Sequence, residues 1–285
     1  MDWQGRHVVI TGGSSGIGEA LAHAAAERGA HLTLLARGAG RLDAVVGAVA
    51  ERAAEEGAAS ATASGARRSP TVEVAGISCD VSDRDAVTDA LAMAAADRGP
   101  VDVLVCSAGI TLPGRFLEAD DHTFRDMIDV DYYGTLWPIR AVAPSMVERR
   151  TGSIVGVASA AALVGVYGYS AYGAAKFAVR GLFESLRTEL VPHGVHVGCV
   201  FPPDVDTPML AEENLVKPAE TKAIAGSIKP LAADQVAQAI IKGIDKQQAE
   251  IYADAQTRAL ARTIALAPGV YRKLFDQRVR KVTDA

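Results

Sequence analysis

The segment His7-Val-Val-Ile-Thr11 runs straight into Gly12-Gly-Ser-Ser-Gly-Ile-Gly18. This junction constrains the fold more than any other part of the chain. A buried strand followed by three glycines at the mouth of a helix opens a βαβ unit. Gly12, Gly16 and Gly18 allow a tight turn, close approach of backbone to a pyrophosphate, and close contact of helix on strand. The helix N-terminus then faces an anion. A lone glycine triplet is often only a loop, but a strand before it and a helix after it are the context a nucleotide site requires.

The rest of the chain keeps the same alternation. Apolar, β-branched runs predict strands over His7–Thr11, His31–Ala36, Thr71–Ser78, Val101–Cys106, Gly152–Ala158, His196–Phe201 and Glu250–Tyr252. Ala-rich patterns predict helices over Gly16–Arg28, Arg41–Glu56, Asp83–Arg98, Asp121–Arg149, Ser170–Val191 and Ala233–Gln247. The expected fold class is α/β: a Rossmann-type, doubly wound, seven-stranded parallel sheet with helices on both faces. The 285 residues suit one such domain, since these run to about 250 residues. That domain is expected over 1–255, with a flexible Ala-, Ser- and Gly-rich insertion at 57–70. Pro218 and Gly226 break the segment after the sixth strand, which reads as a substrate lid at about 208–230. Residues 256–285 form a basic amphipathic tail interrupted by Pro268-Gly269.

Bulk properties exclude several classes. The net charge of −5, with no basic block, argues against a nucleic-acid partner. Cys79, Cys106 and Cys199 are odd in number and contain no Cys-x-x-Cys, so neither a disulfide framework nor a zinc site is indicated. A reducing, cytoplasmic setting is the simple reading. The N-terminus has no signal-peptide layout, and no apolar stretch is long enough to span a bilayer. His193 and His196 flank a turn without carboxylate or thiol company, so no metal is expected there. The tail mixes Leu, Ile, Val, Tyr and Phe with Arg and Lys. It either lies on the inner face of an anionic membrane or packs on the domain or a second subunit.

The second strand ends in Arg37, where an NAD-selective site usually places Asp or Glu. An Arg there suits a ribose 2′-phosphate and so NADPH/NADP, with Ser14 and Arg41 as helpers; the alternative is a solvated strand-end residue. Asp80, followed by Val81, ends the third strand, where its carboxylate can accept from an adenine amino group. Asp80 can instead cap the next helix, although Ser82 is the better cap.

Tyr172 and Lys176 stand four residues apart, which puts both on one helix face and the ammonium near the phenol. A cation there favours the ionised phenol. Ser159 lies upstream at a strand end, where its hydroxyl can hold a carbonyl oxygen; in the Ala-rich stretch Ala158–Ala162 it can equally be a small packing residue. Alone, Tyr-x-x-x-Lys is a weak signal. With the glycine turn before it, the trio makes an apparatus for reducing a ketone.

Together, Thr11-Gly-x-x-x-Gly-x-Gly18, Asp80, Ala108-Gly109, Ser159, Tyr172-x-x-x-Lys176 and Pro202–Thr207 resemble the short-chain dehydrogenase/reductase family over roughly residues 5–255. The resemblance implies a cofactor site built from Thr11, Gly12, Ser14, Ser15, Gly16, Ile17, Gly18, Arg37, Arg41, Asp80, Val81, Ala108, Gly109, Tyr172, Lys176, Pro202, Val205 and Thr207. Within it, Lys176 bonds the nicotinamide ribose. The backbone near Val205 and the Thr207 hydroxyl take the carboxamide, unless Thr207 is a plain turn residue before Pro208. The catalytic set becomes Ser159, Tyr172, Lys176 and Asp131. Asp131 stands where the family has an Asn, and its added carboxylate either pairs with Lys176 or merely stabilises a helix kink. Cys106-Ser107 replaces the family's usual Asn-Asn.

Phe201-Pro-Pro-Asp-Val-Asp-Thr-Pro208 and Ala211-Glu-Glu-Asn-Leu-Val-Lys-Pro-Ala-Glu-Thr221 resemble the family's branch that reduces long-chain 3-keto sphingoid bases. That implies a lipid-like ketone carrying an ammonium, with Asp131, Asp204 or Glu212 as counter-charge. Alternatives are another bulky 3-oxoacyl lipid or thioester, or a non-catalytic NADP(H)-binding regulator. The family also implies a homodimer or homotetramer through the helices Asp121–Arg149 and Ser170–Val191.

Overall fold

The protein is described by a computed structural model over residues 1–64, 71–225 and 229–283. β1 (His7–Thr11) is buried along its whole length, as a parallel strand covered on both faces must be. It passes through the glycine turn into α1 (Gly16–Ala26) and then β2 (His31–Ala36). α2 (Ala39–Ser64), β3 (Val74–Ser78), α3 (Arg84–Arg98) and β4 (Val103–Cys106) complete the first half. The second half holds α4 (Asp121–Met127), α5 (Gly134–Arg149), β5 (Ser153–Val157), α6 (Ser170–Leu190) and β6 (His196–Val200). β7 (Val205–Asp206), α7 (Pro208–Val216), α8 (Ala219–Ala225) and β8 (Leu231–Ala232) follow. The chain closes with α9 (Ala233–Asp245), β9 (Glu250–Ile251), α10 (Ala255–Leu266) and α11 (Pro268–Thr283).

The main sheet has seven strands in the order β3-β2-β1-β4-β5-β6-β9, all parallel. The direction of winding reverses between β1 and β4, where such folds leave a crevice beyond the carboxyl ends of the strands. Thr11 pairs with Cys106 there, so the glycine turn and the Ser107–Gly109 loop leave the sheet side by side. Alternate strand residues serve opposite faces. Val8 and Ile10 pack with Leu21, Leu42 and Ile240 on one side, while Val9 packs with Leu91, Ile139 and Phe183 on the other.

Three local features differ from the sequence expectation. First, the helix expected over Asp121–Arg149 is interrupted by a π-helical turn, Ile128–Tyr133, which contains Asp131. Such wide turns insert a residue and re-aim side chains, and hydrophobic periodicity does not reveal them. Second, α2 continues to Ser64, so residues 57–64 of the expected insertion are helical; 65–70 lie outside the described residues. Third, α3 is capped by Asp83, whose Oδ1 accepts from the amides of Asp85 and Ala86. Ser82 instead donates its amide and hydroxyl to Asp80 Oδ1. The tail takes the second of its two expected courses and packs on the domain. Ala261 and Ile264 of α10 pack on the core, and α11 packs against α8. Pro268 starts α11 rather than ending the tail's order, since the first helical turn needs no N–H at that position.

β7 pairs with β8, which ties together the two ends of the segment expected as a lid. Gly226 of that segment lies outside the described residues. His196 is fully engaged in packing: Nδ1 shares a hydrogen bond with Ser153 Oγ at 2.6 Å and Nε2 one with Gln248 O at 2.9 Å. Among the described residues no group of His, Cys, Asp and Glu is placed to hold a metal ion.

Candidate active site

The glycine turn is bare backbone by steric necessity. Gly12 has φ +70° and Gly16 φ +56°, a region that L side chains avoid. A Cβ on Gly12 would lie 2.7 Å from Ala108 N, and one on Gly18 would lie 2.2 Å from Gly12 O. Thr11 Oγ1 accepts from the amides of Ser107 and Ala108, both at 3.2 Å, and so holds the turn against the neighbouring loop. Ser15 is the N-cap of α1 but makes no side-chain capping bond, which leaves first-turn amides free for an anion.

Arg37 and Arg41 are exposed beyond the end of β2. Asp80 sits within electrostatic reach of Arg37. Burial pushes the Asp80 carboxyl up, but the Ser82 amide and hydroxyl and Arg37 outweigh it and hold the group below its ordinary range. Val81 is buried and packs on Gly134, where a Cβ would come within 2.6 Å of its methyl.

α6 presents Tyr172 and Lys176 to one cavity of about 900 Å³. The Ser159 hydroxyl lines the same cavity as the Tyr172 phenol and favours its ionised form. Ser159 Oγ also accepts from Ala161 N at 3.1 Å and caps the 3-10 turn Ala160–Ala162. Its loop is fixed from the other side by Ala160 N, which donates to Pro202 O at 2.8 Å. Lys176 Nζ donates to Val157 O at 3.3 Å and lies 3.7 Å from Asp131 Oδ1. Lys176 is 4% exposed and Asp131 0%. Asp131 Oδ1 also accepts from Ile110 N at 2.9 Å, whereas its buried Oδ2 has no partner. The Asp131 carbonyl accepts from Thr135 Oγ1 at 2.8 Å.

These contacts correct the expected electrostatics. The Tyr172 phenol is pushed well above its ordinary pKa by burial and then by Asp131, against the Ser159 hydroxyl. Lys176 is matched by a carboxylate rather than left as a bare cation beside the phenol. Burial likewise raises the Asp131 carboxyl, with Lys176 opposing.

The string Ala211–Thr221 splits between the cavity and the lid's moorings. Glu213 lines the cavity, accepts from the Tyr169 hydroxyl, and pairs through Oε1 with Lys217 Nζ at 2.6 Å. Lys217 Nζ also lies 3.3 Å from Asp204 Oδ2. Glu220 accepts from Arg115 and from the Tyr167 hydroxyl, and Thr221 donates to Tyr167 O at 2.9 Å.

Of the residues expected at the site, Gly12, Ser15, Gly16, Ile17, Ala108, Gly109, Ser159, Tyr172, Lys176, Pro202, Val205 and Thr207 line the single cavity. Thr11, Gly18 and Asp131 sit immediately behind its wall. Ser14, Arg37, Arg41, Asp80 and Val81 lie outside it. Thr207 also caps α7, accepting from Leu210 N at 3.3 Å and donating to Val205 O at 3.1 Å. Of the expected counter-charges, Asp204 lines the cavity, Asp131 is sealed behind Lys176, and Glu212 is exposed on the outer face of α7. Sequence reasoning missed Tyr169, Glu213, Leu260, Phe275 and Arg278, all of which line the cavity. The i,i+4 spacing of Glu213 and Lys217 was the one available signal; nothing local pointed to Phe275 or Arg278.

A doubly wound sheet with a bare glycine turn at its switch point, opening into a cavity beside a Ser–Tyr–Lys group, defines a Rossmann-type oxidoreductase acting on a ketone or alcohol. The chain belongs to the short-chain dehydrogenase family, whose model matches residues 6–58 and 46–217. It is 41% identical over 239 residues to a 3-dehydrosphinganine reductase of Danio rerio, covering 84% of this chain and 68% of that protein. It is 36% identical over 281 residues to a 3-ketodihydrosphingosine reductase of Dictyostelium discoideum, covering 96% and 82%. Among solved structures, a short-chain dehydrogenase from Sphingobium yanoikuyae in complex with NADPH matches with TM-score 0.75 at 25% identity, covering 95% of each chain. A family member from Burkholderia phymatum in complex with NAD matches with TM-score 0.78 at 26% identity, covering 93% and 96%.

Proposed function

We propose that the protein reduces a long-chain 3-keto sphingoid base, 3-ketodihydrosphingosine, to dihydrosphingosine with NADPH. One observation carries the reading: the Ser159–Tyr172 hydroxyl pair faces a cavity that continues without a wall to the glycine turn. The likeness to reductases named for this ketone, in animals and in Dictyostelium, supports the substrate.

The site fits a dinucleotide, because Gly12 and Gly16 line the cavity as bare backbone, where a Cβ would stand 2.7 Å from Ala108 N and 2.9 Å from the Thr207 methyl. Gly12, Ser15, Gly16 and Ile17 would hold the diphosphate, Arg37 a 2′-phosphate, and Val205 and Thr207 the carboxamide. When bound, NADPH supplies a hydride equivalent to the carbonyl carbon. Ser159 and Tyr172 hold the carbonyl oxygen, where negative charge develops. Tyr172 gives that oxygen its proton, and its raised pKa keeps it protonated at neutral pH. Lys176, fixed by Val157 O and Asp131, keeps a positive charge behind the phenolate that forms.

The test is NADPH oxidation with 3-ketodihydrosphingosine in detergent micelles, beside a 3-oxoacyl thioester and with NADH as control. Turnover of the sphingoid ketone with NADPH preferred is expected; turnover of the thioester alone would move the protein to fatty-acid chemistry. Tyr172→Phe should lower kcat by about 10²–10⁴-fold and leave NADPH binding intact. Full biological function in that variant would favour a regulator.

The same reading extends to assembly and delivery. Phe177, 42% exposed on α6, supports pairing of subunits through α5 and α6, which light scattering of the eluted protein would detect. Arg272, Lys273 and Lys281 are exposed on α11 and would face anionic headgroups during uptake of a lipid ketone. No helix among the described residues is long and apolar enough to cross a membrane. Co-sedimentation with anionic against neutral liposomes measures the peripheral contact.

A further inference from the structure

Glu213 is 8% exposed and Lys217 6%. The Tyr169 hydroxyl and Lys217 Nζ both meet Glu213 Oε1. Glu213 lines the cavity, where its carboxylate can meet a ligand. Lys217 is shared with a second cavity-lining carboxylate, Asp204, at 3.3 Å. Two carboxylates thus face one ammonium, which leaves one negative charge in excess on this wall. The wall lies next to the chemistry: the Tyr169 and Tyr172 rings are 5.6 Å apart, and Glu213 and Asp204 both act electrostatically on the Tyr172 hydroxyl. Around it the cavity is lined by Val164, Val166, Leu210 and Leu260, where a charge interacts more strongly than in water.

We propose that Glu213, backed by Tyr169, Lys217 and Asp204, is the specificity-determining residue that receives a substrate ammonium on the carbon next to the reacting ketone. This rests on the reading of the substrate as a 2-amino-3-ketone. The geometry explains why the carboxylate is built in rather than replaced by an apolar residue. Tyr169, whose ring lies 5.6 Å from that of Tyr172, holds Glu213 on the cavity wall within reach of a substituent beside a ketone bound at Ser159 and Tyr172. Lys217 keeps the excess to one charge, matching one cation. A neutral α-substituent would leave that excess charge in a poorly solvated wall, so the same contact that accepts the amine rejects its deaminated analogue.

The experiment compares 3-ketodihydrosphingosine with the 3-ketone of the same chain length lacking the amine, in the same micelles, using the full chain and NADPH. Wild type is expected to favour the amine in kcat/KM by about tenfold to a hundredfold, as for a hydrogen bond to a charged group. Glu213→Gln should collapse that ratio, mainly through KM for the amine, and Glu213→Asp should restore part of it. An unchanged ratio in Glu213→Gln, with wild type turning over the sphingoid ketone, overturns the assignment. Absence of wild-type turnover of that ketone instead overturns the functional reading itself. A second measurement needs no variant: inhibition of wild type by dihydrosphingosine against its deaminated alcohol. At least about tenfold tighter inhibition by the amine supports the assignment, and equal inhibition overturns it.

Discussion

Asp131 Oδ1 lies 3.7 Å from Lys176 Nζ, with both side chains buried and Gly109 laid over the pair. A Cβ on Gly109 would stand 2.8 Å from that oxygen and 3.2 Å from that nitrogen. The catalytic helix is thus coupled to the π-helical turn through a carboxylate where the family usually has an amide. The carboxylate partly neutralises the lysine and raises the pKa of the tyrosine in front of it.

Asp131→Asn removes the largest of the carboxylate influences that, after burial, raise the Tyr172 pKa, so that pKa should fall. Ketone reduction needs the phenol and alcohol oxidation needs the phenolate. The alkaline loss of reduction and the alkaline gain of oxidation should therefore both move to lower pH in the variant. Rate profiles in the two directions check this, and superimposable profiles for the variant and wild type would show that Asp131 does not act on Tyr172.

The same substitution should change how stability depends on pH. The Asp131 carboxyl is raised in the folded state, chiefly by burial. Its contribution is then fully present below the unfolded pKa of about 4 and is lost as pH rises through the folded value. Asn does not titrate. The Tm of Asp131→Asn relative to wild type should increase as pH rises from about 4 toward neutrality. A difference that stays flat across that range would contradict the raised carboxyl.

Arg37 stands exposed at the end of β2, outside the substrate cavity, with Asp80 in electrostatic range. Arg37→Ala should lower kcat/KM for NADPH by about tenfold to a hundredfold, the scale of a charge-assisted contact, and change that for NADH much less. Equal losses with the two cofactors would identify Arg37 as a solvated surface residue.

Glu220 moors the lid to Arg115 and Tyr167, and its own backbone amide, with those two side chains, holds its carboxyl below the ordinary range. Glu220→Gln should loosen the lid. Trypsin should then cut after Lys222, which is exposed, several-fold faster than in wild type, as local opening becomes less costly. The lid amides of wild type should lose their protection from hydrogen exchange as pH falls through the depressed folded pKa of Glu220, because the contribution of a lowered carboxyl is lost in that direction. Identical cleavage rates at neutral pH would remove Glu220 from the mooring.

Much of the molecule was legible in residue order because local physics encodes it. The run from His7 to Gly18 specifies strand, turn and helix through burial, φ and steric exclusion within a dozen positions. The spacing of Tyr172 and Lys176 puts them on one helical face whatever lies beyond. The interrupted helix was not legible, since the wide turn at Ile128–Tyr133 leaves the apolar pattern intact. Nor was the choice among neighbouring carboxylates: Glu212 and Glu213 differ by one position, yet one is exposed and the other lines the cavity.

By itself the sequence determined the doubly wound sheet, the bare glycine turn and the shared helical face of Tyr172 and Lys176, because each follows from periodicity or from a steric demand between near neighbours. Only the tertiary structure decided that Asp131 sits against Lys176, that Glu220 reaches Arg115 across 105 residues, and that Phe275 and Arg278 help wall the cavity. Those contacts join segments remote in the chain. Their geometry is set by how the π-helical turn packs on α6 and how α8, α10 and α11 pack over the crevice, not by any preference of the residues that make them.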